Sequence, residues 1–308
     1  KMLAAMPLFH GFGLGVCIHT MLSQGGRCIL IPRFTAQTYA KQITKYHCNF
    51  IAGVPTLYEA LLRLPSMDKA DLSSLKGVFS GGDSLSIELK KKFDKFLYDH
   101  NAKIQIREGF GLTECVTASC LTPPHMAKEG SIGLPFPDTY YKIVEPGTDK
   151  ELPYGEEGEI CVSGPILALG YYNDPERTAK DFIQNPLNSA YREIIYKTGD
   201  IGVMRADGEL MFKGRRDRQI KHLGHRVELD EIERAACRTE SVTECCVLYD
   251  REKETICLFY TGTASVRELS LSLRQTLPGF MIPRKMKQLE AMPKLPNGKT
   301  DMNTLRNY

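Results

Sequence analysis

Apolar residues in the first 125 positions alternate between short continuous runs and stretches with helical spacing. Continuous runs predict buried strands, and apolar residues at every third or fourth position predict amphipathic helices. The pattern therefore predicts, after an apolar, strand-like start at 1–9, the order strand 27–32, helix 35–46, strand 50–55, helix 56–64, strand 76–80 and helix 86–100. Strands that alternate with helices are typical of a parallel sheet covered by helices, whose ligands bind at the carboxyl ends of the strands.

From 127 to 216 the pattern changes to short apolar runs separated by turns, such as the run at 159–164. This spacing predicts a small antiparallel β-barrel subdomain, or an open sheet of the same strands, attached to the parallel layer. A short helix is expected at 175–182, with Asn173 or Asp174 as its cap and a proline at its first position.

The last part of the chain predicts a separate α+β domain. Residues 213–226 are dense in Lys and Arg, and after them come predicted helices at 229–238 and 265–277 and predicted strands at 242–249, 255–260 and 285–289. We therefore expect two domains with a boundary at Asp217. The first, 1–216, joins the α/β layer (1–126) to the antiparallel subdomain (127–216), and the second, 217–308, is small and mobile.

Length, charge and cysteine content exclude several classes of protein. The 308 residues exceed what one hydrophobic core usually serves. A net charge of +3 is too small to predict a nucleic-acid partner, and no apolar run approaches the roughly 20 residues of a membrane helix. The ten cysteines include no Cys-x-x-Cys pair and no zinc-ligand spacing, which favours a reduced, cytoplasmic setting. The chain begins on an apolar run, so we expect it to be the C-terminal part of a longer protein.

Four polar signatures follow one another along the chain, and each alone could be only a turn. They are Gly109-Phe110-Gly111-Leu112-Thr113-Glu114, Tyr196-Lys197-Thr198-Gly199-Asp200, Gly214-Arg215-Arg216-Asp217-Arg218-Gln219-Ile220-Lys221 and Pro296-Asn297-Gly298-Lys299. Together they supply an aromatic face, a hydroxyl and a carboxylate for phosphate and metal, a ribose ligand, and a lysine near the end of the chain. This set of groups predicts a protein that handles ATP.

The first signature carries the most specific chemistry. Gly109 and Gly111 free the backbone around Phe110, whose ring could offer its face to a purine. Thr113 could donate to a phosphate oxygen, and Glu114 could hold a magnesium ion, which prefers oxygen ligands and commonly bridges phosphates. The alternative is a loop whose threonine caps a helix, with the glutamate placed on the helix dipole.

Two further groups could bind a nucleotide within the first domain. Ser80-Gly81-Gly82-Asp83 follows a predicted strand, where the glycines would let a flat ring approach the backbone, unless they only form a tight turn. Asp200 comes at the end of a predicted strand and could accept from both hydroxyls of a ribose, or belong to a simple turn.

Four further residues are also candidates. Arg215 could bind the ribose and Asp217 could act as a hinge. A solvated linker or a nucleic-acid patch is the alternative, and the patch is disfavoured because no aromatic residues are interleaved. Lys299 lies in a turn where its ammonium group could neutralise charge that builds on an α-phosphate, although most terminal lysines are only solvated. His10 could line a substrate tunnel or be a half-buried structural histidine.

With all four signatures in this order, the chain resembles the adenylate-forming superfamily of acyl- and aryl-CoA synthetases, luciferases and peptide-synthetase adenylation domains. It looks closest to the acyl-CoA synthetases. The resemblance runs from Pro7-Leu8-Phe9-His10 to Asn297-Gly298-Lys299, which is nearly the whole chain, and it includes 158–164 with Gly170-Tyr171-Tyr172, and 277–283.

The resemblance implies a reaction in two steps. A carboxylic acid attacks the α-phosphate of ATP to give an acyl-adenylate and pyrophosphate, and the thiol of coenzyme A, or of a carrier protein, then displaces AMP. The implied roles are adenine contact for Ser80 to Asp83 and Phe110, phosphate contact for Thr113, Mg²⁺ binding for Glu114, ribose contact for Asp200 and Arg215, and adenylation for Lys299.

The resemblance also implies a change of domain arrangement between the two steps. The small domain would swing about Asp217, which withdraws Lys299 and brings Gly224-His225-Arg226 towards the thiol site.

The chain departs from the family pattern in two respects. The Gly/Ser/Thr-rich loop that cradles the β- and γ-phosphates lies upstream of Pro7 in the family and is absent here, so we expect this chain alone to be inactive in ATP–pyrophosphate exchange. Amino-acid-activating relatives carry an aspartate where this chain has His10, which favours a simple carboxylic acid. Phe12, Gly53-Val54 and 115–120 are expected to line the acid pocket.

Two other functions stay open from the sequence. One is an adenylation enzyme that loads an acyl or amino acid onto a carrier protein. The other is a nucleotide-binding scaffold that has kept the fold and lost catalysis. The residues of all four signatures are present, which argues against the scaffold.

Overall fold

The first half of the chain forms a parallel sheet with helices between its strands. The computed structural model describes residues 1–124, 128–223, 225–250, 252–296 and 298–308, with the backbone alone at 217, 219, 221, 225 and 226. The parallel strands are β1 (Met2–Ala4), β2 (Cys28–Leu30), β3 (Phe50–Gly53), β4 (Gly77–Ser80) and β5 (Ile106–Phe110). They lie in the order β2-β1-β3-β4-β5, so the predicted parallel layer is confirmed.

The helices of this layer begin where the sequence supplies a cap. They are α1 (Thr20–Ser23), α2 (Ala36–Tyr46), α3 (Pro55–Leu62) and α4 (Ile87–Asp99). The side chains of Thr35 and Ser86 accept the first free backbone N–H groups of α2 and α4, and α3 starts on a proline. The apolar faces of these helices pack on the sheet around Tyr39, Tyr58 and Phe93.

One helical segment was not predicted from the sequence. Phe12–His19 forms a π-helix that continues directly into α1. Apart from His19, its residues are apolar or glycine, so it has neither the polar face nor the cap from which a helix is recognised in a sequence. The strand-like reading of 1–9 is likewise too long, since β1 ends at Ala4.

The antiparallel strands continue the same sheet. They are β6 (Cys120–Leu121), β7 (Ser131–Pro135), β8 (Tyr140–Val144), β9 (Glu157–Ser163), β10 (Phe182–Gln184), β11 (Ile194–Met204) and β12 (Leu210–Arg215). From β5 the order runs β6-β7-β12-β11-β9-β8, with β10 on β11. In the described residues this path ends at β8, and the antiparallel part consists of the short strands that were predicted as a barrel or an open sheet. Helix α5 (Pro175–Asp181) is capped by Asp174, one of the two expected residues.

The last part of the chain has the predicted α+β content. Its elements are β13 (Gln219–His222), β14 (His225–Glu228), α6 (Leu229–Cys237), β15 (Val242–Asp250), β16 (Thr255–Gly262), α7 (Val266–Thr276), β17 (Lys285–Gln288) and α8 (Met302–Arg306). Strands β15, β16 and β17 form one sheet, and β13 pairs with β14. A capping box at Ser265 and Glu268 starts α7.

The chain divides into two compact units, Lys1–Lys213 and Gly214–Tyr308. The predicted boundary at Asp217 falls just inside the second unit. The second unit has its own apolar core, which includes Ile232, Leu258 and Leu269. In the part of the chain that the structure describes, no helix is both long enough and apolar enough to cross a membrane.

Candidate functional site

Several predicted site residues lie together at the carboxyl ends of β4 and β5. Ser80 ends β4 and pairs in register with Glu108 of β5, while Phe110 ends β5. The backbone N–H of Gly81 donates to the carbonyl oxygen of Gly53 at 3.2 Å, which continues the sheet pairing by one residue. Because the strands are parallel, these ends meet at one edge of the sheet, where ligands of such sheets bind.

The turn after β4 is closely surrounded by neighbouring residues. A Cβ at Gly81 would lie 3.3 Å from the carbonyl oxygen of Gly109 and 3.5 Å from the ring of Phe12. Gly82 has φ 80°, a conformation that favours glycine. Asp83 is exposed, and its carboxylate accepts from the backbone N–H of Ser84 at 2.8 Å. The turn therefore needs its glycines for its own conformation, whether or not a ligand binds there.

The hydroxyl of Ser80 is a buried polar group at this edge. Ser80 is 1% exposed, and among the described residues no hydrogen-bond partner is found for its oxygen. Buried polar groups almost always have a partner, so this hydroxyl is a candidate ligand contact.

Glu108 is a site residue that the sequence reading missed. Its carboxylate is buried and accepts from the backbone N–H of Leu85 at 3.0 Å. Burial raises the pKa of the Glu108 carboxyl to about 7, against the opposing effects of that hydrogen bond and of Lys90. The signal in the sequence was a single acidic residue inside a strand, between Ile106 and Phe110.

The loop from Phe110 to Glu114 is shaped by its own backbone. A Cβ at Gly111 would overlap the carbonyl oxygen of Thr117, so only glycine fits there. The ring of Phe110 is half-buried and lies 6.2 Å from the ring of Phe212, centroid to centroid. Thr113 is exposed and begins a short 3₁₀ helix, Thr113–Cys115, which has no side-chain cap. The alternative in which Thr113 caps a helix is therefore not observed.

The carboxylate of Glu114 is held by a tyrosine from the segment between β9 and α5. The hydroxyl of Tyr171 donates to Oε1 of Glu114 at 2.7 Å, and the backbone N–H of Ala168 donates to the Glu114 carbonyl oxygen at 2.8 Å. The hydroxyl of Tyr196 lies 3.4 Å from that of Tyr171. Glu114 is thus fixed against β11, the strand that carries Tyr196.

The Tyr171 ring is itself held by two neighbours. The guanidinium of Arg177 lies 3.9 Å from the ring centroid, and the ring of Phe182 packs edge-on at 5.7 Å. A cation over an aromatic face is an attractive contact. The sequence reading noted Tyr171 only as part of a family landmark and missed its contact with Glu114.

Asp200 lies at a β-bulge inside β11 and not, as predicted, at the end of a strand. The register with β9 shifts between Lys197 and Ile201, and Gly199 has φ 72°. The backbone N–H of Asp200 donates to the Thr198 hydroxyl oxygen at 3.0 Å. Bulges commonly re-aim a side chain next to a functional site, and the Asp200 side chain is buried at this one.

His10 lies on the segment that reaches the same edge of the sheet. Its Nδ1 accepts from the backbone N–H of Phe12 at 3.1 Å, so the neutral ring carries its proton on Nε2. The Phe12 ring lies beside Gly81, and a Cβ at Gly11 would touch the Thr117 side chain. His10, the turn after β4 and the loop after Glu114 are therefore neighbours within the first unit.

The other predicted residues lie in the second unit. Arg215 and Lys299 are exposed. Lys299 sits in a turn in which Leu295 N–H donates to its carbonyl oxygen at 2.8 Å. Asp217 belongs to the 3₁₀ turn Arg216–Arg218, which is described by its backbone alone at that residue. In the thiol-site signature, Gly224 lies outside the described residues, whereas His225 and Arg226 begin β14 and are described by their backbone.

Arg218 anchors the end of the predicted hinge to the second unit. Its guanidinium donates to Asp230 at 2.6 Å, to Glu233, and to the carbonyl oxygen of Val247 at 2.8 Å. From the sequence, Arg218 was recognised only as one residue of the third signature and of the charged stretch 213–226. These contacts place it firmly on α6 and β15.

The donor set fits a magnesium ion that is carried mainly by phosphate. Magnesium typically takes one or two protein carboxylates and completes its shell with water and substrate phosphate oxygens. Glu114 provides one carboxylate beside Thr113, and the described residues contain no cluster of three or more His, Cys, Asp and Glu side chains. The site is therefore unlike an all-protein metal cage.

Comparison with known proteins identifies the family of the chain. The model of the AMP-binding enzyme family matches residues 1–172, and the model of the AMP-binding enzyme C-terminal domain matches 231–299. The chain belongs to the AMP-binding enzyme family. The first match contains the turn after β4 and the Glu114 loop, and the second contains Lys299.

The chain is similar to two kinds of curated relative, a peptide synthase and a probable CoA ligase. Gramicidin S synthase 2 of Aneurinibacillus migulanus is 35% identical over 86% of this chain and 6% of its own length. The probable 4-coumarate–CoA ligase 1 of Dictyostelium discoideum is 33% identical over 79% of this chain and 42% of its own length. This chain thus spans less than half of either relative.

The fold is also shared with solved structures of the family. ATP-bound MatB from Rhodopseudomonas palustris superposes with a TM-score of 0.86 at 24% identity, over 99% of this chain and 59% of that one. This likeness confirms the adenylate-forming enzyme fold.

Proposed function

We propose that this chain carries the nucleotide and acyl-transfer sites of an ATP-dependent acid–thiol ligase. In the proposed reaction a carboxylic acid is adenylated to an acyl-AMP, and the acyl group then passes to coenzyme A. The adenylate supplies a good leaving group, which a free carboxylate lacks. The observation that carries the proposal is the fixed Glu114 carboxylate on the loop that follows β5, the strand that pairs with β4 and its Ser80.

The contacts of the first unit support a nucleotide at this edge. The Ser80 hydroxyl, for which the described part of the chain offers no partner, is a buried donor, and Phe110 offers a half-buried ring. Asp200 offers a carboxylate that a bulge holds in place, which suits the two hydroxyls of a ribose. In the same proposal Arg215 also contacts the ribose, and Thr113 contacts phosphate.

Magnesium, held by Glu114 and by phosphate, would supply positive charge that stabilises the phosphate oxygens during adenylation. The chain's own contribution is to orient the Glu114 carboxylate through Tyr171 and to exclude alternative rotamers by packing. Lys299 is proposed to bring a second positive charge to the α-phosphate in this step alone. Asp217 is proposed as the hinge, and His225 and Arg226 as residues of the thiol site.

A simple carboxylic acid is the proposed substrate class. The Nδ1 atom of His10 accepts from the backbone N–H of Phe12. A histidine at this position gives no negative counter-ion to an α-amino group, which favours a simple carboxylic acid over an amino acid.

Loading of a carrier protein is the second candidate. It is favoured by the 35% identity to gramicidin S synthase 2 over most of this chain. Both candidates use the same adenylation chemistry and differ only in the thiol acceptor. A cytoplasmic location is proposed for both, since both depend on ATP.

Preformed acyl-adenylates separate these functions without requiring the β- and γ-phosphate contacts. The chain would be incubated with a panel of synthetic aliphatic and aromatic acyl-adenylates and either coenzyme A or a phosphopantetheinylated carrier protein. We expect acyl-CoA and AMP, detected by mass spectrometry, from at least one adenylate. Transfer to the carrier alone would favour the second candidate, and AMP binding with no thioester to either acceptor would favour a non-catalytic scaffold.

A further inference from the structure

Two cysteine side chains of the second unit touch each other. Cys237 is the last residue of α6, Cys245 lies in β15, and their sulfur atoms are 3.3 Å apart. All ten cysteines fall in the described residues, and Cys237 is the exposed one among them. The pair therefore combines contact between two sulfurs with access from solvent.

Strand geometry selects Cys245 over its neighbour Cys246. Successive side chains of a strand point to opposite faces of the sheet. Cys246 packs in the apolar cluster with Leu248 and Phe259, whereas Cys245 packs towards α6, where its thiol also lies 3.4 Å from the carbonyl oxygen of Glu233. A bond from Cys237 can thus reach Cys245 and not Cys246.

We infer that Cys237 and Cys245 are a redox modification site, which forms a reversible intrachain disulfide in the presence of a peroxide. The exposed Cys237 thiolate attacks the peroxide oxygen, which gives a sulfenic acid on Cys237 and releases water or an alcohol. The Cys245 sulfur then attacks the Cys237 sulfur, the S–O bond breaks, and a second water leaves with the Cys245 proton. The two thiols are oxidised by two electrons and the peroxide is reduced by two.

The surroundings of the two thiols set the order of these steps. The hydrogen bond with Cys237 and burial raise the pKa of the Cys245 thiol well above its usual value, so Cys245 is not the first to react. Burial likewise raises the pKa of Cys115 and of Cys120 to about 12, so these thiols are poor competitors. Cys237 is left as the group that peroxide meets first.

The disulfide is read directly from tryptic peptides of the full chain. Trypsin places Cys237 in peptide 235–238 and both Cys245 and Cys246 in peptide 239–251. After treatment with hydrogen peroxide, denaturation and alkylation, we expect these two peptides to be joined and two alkylatable thiols to be lost. Fragmentation between residues 245 and 246 should leave the alkyl group on Cys246, which serves as an internal control.

Reduction with dithiothreitol should restore both thiols, and the joined peptide should be absent from Cys237→Ser and from Cys245→Ser. Each variant changes one atom, and Cys237 is exposed, so Cys237→Ser is expected to fold. The inference is overturned by a Cys237–Cys246 link, by a link between two chains, or by Cys237 oxidised to sulfinic acid while Cys245 remains alkylated.

Discussion

The carboxylate of Glu114 is positioned by a side chain far away in the sequence. The Tyr171 hydroxyl is its hydrogen-bond donor, and Tyr171 is held in turn by Arg177 and Phe182. A hydrogen bond to a charged group contributes about 1.5–3 kcal/mol. If Glu114 holds the metal of a bound nucleotide, this bond should affect binding of the magnesium complex more than binding of the nucleotide alone.

Tyr171→Phe tests this contact, because it removes the hydroxyl and keeps the ring. We expect about a tenfold weaker magnesium-dependent gain in ATP affinity, since part of the energy of a charge-assisted hydrogen bond is lost. AMP affinity without magnesium should be unchanged. Both are measured by calorimetry, with Tyr172→Phe as the matched control because its side chain is 93% exposed. Equal effects of the two variants would show that the contact has no such role.

Glu108 should make stability depend on pH. Its pKa is raised by burial from 4.5 to about 7, so the folded chain holds a proton that the unfolded chain has lost. The resulting stabilisation is complete below pH 4.5 and is lost as the pH rises through about 7. The shift corresponds to at most about 3 kcal/mol.

Glu108→Gln should remove this pH dependence. Between about pH 5 and about pH 8, the free energy of unfolding should fall by about 2 kcal/mol more in the unchanged chain than in the variant. Urea titrations at the two pH values measure the difference, with the exposed Glu156→Gln as control. Parallel pH profiles of the unchanged chain and Glu108→Gln would be incompatible with a buried, readily protonated carboxyl.

Among single residues, the charged groups of the short signatures were predicted from the sequence. The residues that contact those groups or lie buried beside them were not. Glu114 and Asp200 stand beside glycine and threonine in short signatures, so local pattern was enough. Tyr171 and Glu108 act through contacts with residues of other elements, and such contacts depend on the tertiary fold.

The β-bulge in β11 is the element that directs Asp200. It requires Gly199 at φ 72° and a hydrogen bond from Asp200 N–H to the Thr198 hydroxyl. A residue with a Cβ in that conformation costs about 1–2 kcal/mol. If the backbone at residue 199 left this conformation to relieve the strain, the adjacent Asp200 carboxylate would change its direction.

Gly199→Ala should therefore lower both stability and nucleotide affinity. Gly147→Ala is its matched control, because Gly147 has φ 81° and a Cβ there would meet open space. Both variants should lose about 1–2 kcal/mol of unfolding free energy, and only Gly199→Ala should weaken AMP binding. Thermal unfolding and calorimetry give the two quantities. If Gly147→Ala weakened AMP binding as much as Gly199→Ala, the loss could not be assigned to the bulge that carries Asp200.

Among the elements, strands and capped amphipathic helices were predicted within a few residues of their ends. Helix α2 has an apolar face and a threonine cap, and α7 has a capping box, so local rules sufficed. The π-helix at Phe12–His19 and the bulge at Asp200 were missed, because each depends on backbone conformation that neighbouring elements impose.

At the scale of the whole molecule, the proposed function gives the second unit a different residue for each step, and Lys299 a part in adenylation only. Lys299 and the predicted thiol site lie in that unit, while Glu114 and Asp200 lie in the first. A single ammonium group that stabilises developing charge typically contributes about 100-fold to a rate. Its removal should then slow adenylation and leave thiol transfer intact.

Lys299→Gln separates these steps in a chain extended upstream by the family's Gly/Ser/Thr-rich loop. We expect ATP–pyrophosphate exchange to fall roughly 100-fold, while transfer from a synthetic acyl-adenylate to the thiol stays within about twofold. The nearby Lys294→Gln is a control, since Lys294 is paired with Glu244. Equal losses in both half-reactions would contradict a role confined to adenylation.

The most direct test is whether this chain binds AMP through Asp200. Calorimetry should show one site for AMP on the chain, and Asp200→Asn should weaken it about tenfold or more, because a charged acceptor of the ribose hydroxyls is lost. Asp207→Asn, on the exposed turn that follows β11, should bind AMP normally. An unchanged AMP affinity in Asp200→Asn, or no binding of AMP to the unchanged chain, would contradict the proposed site.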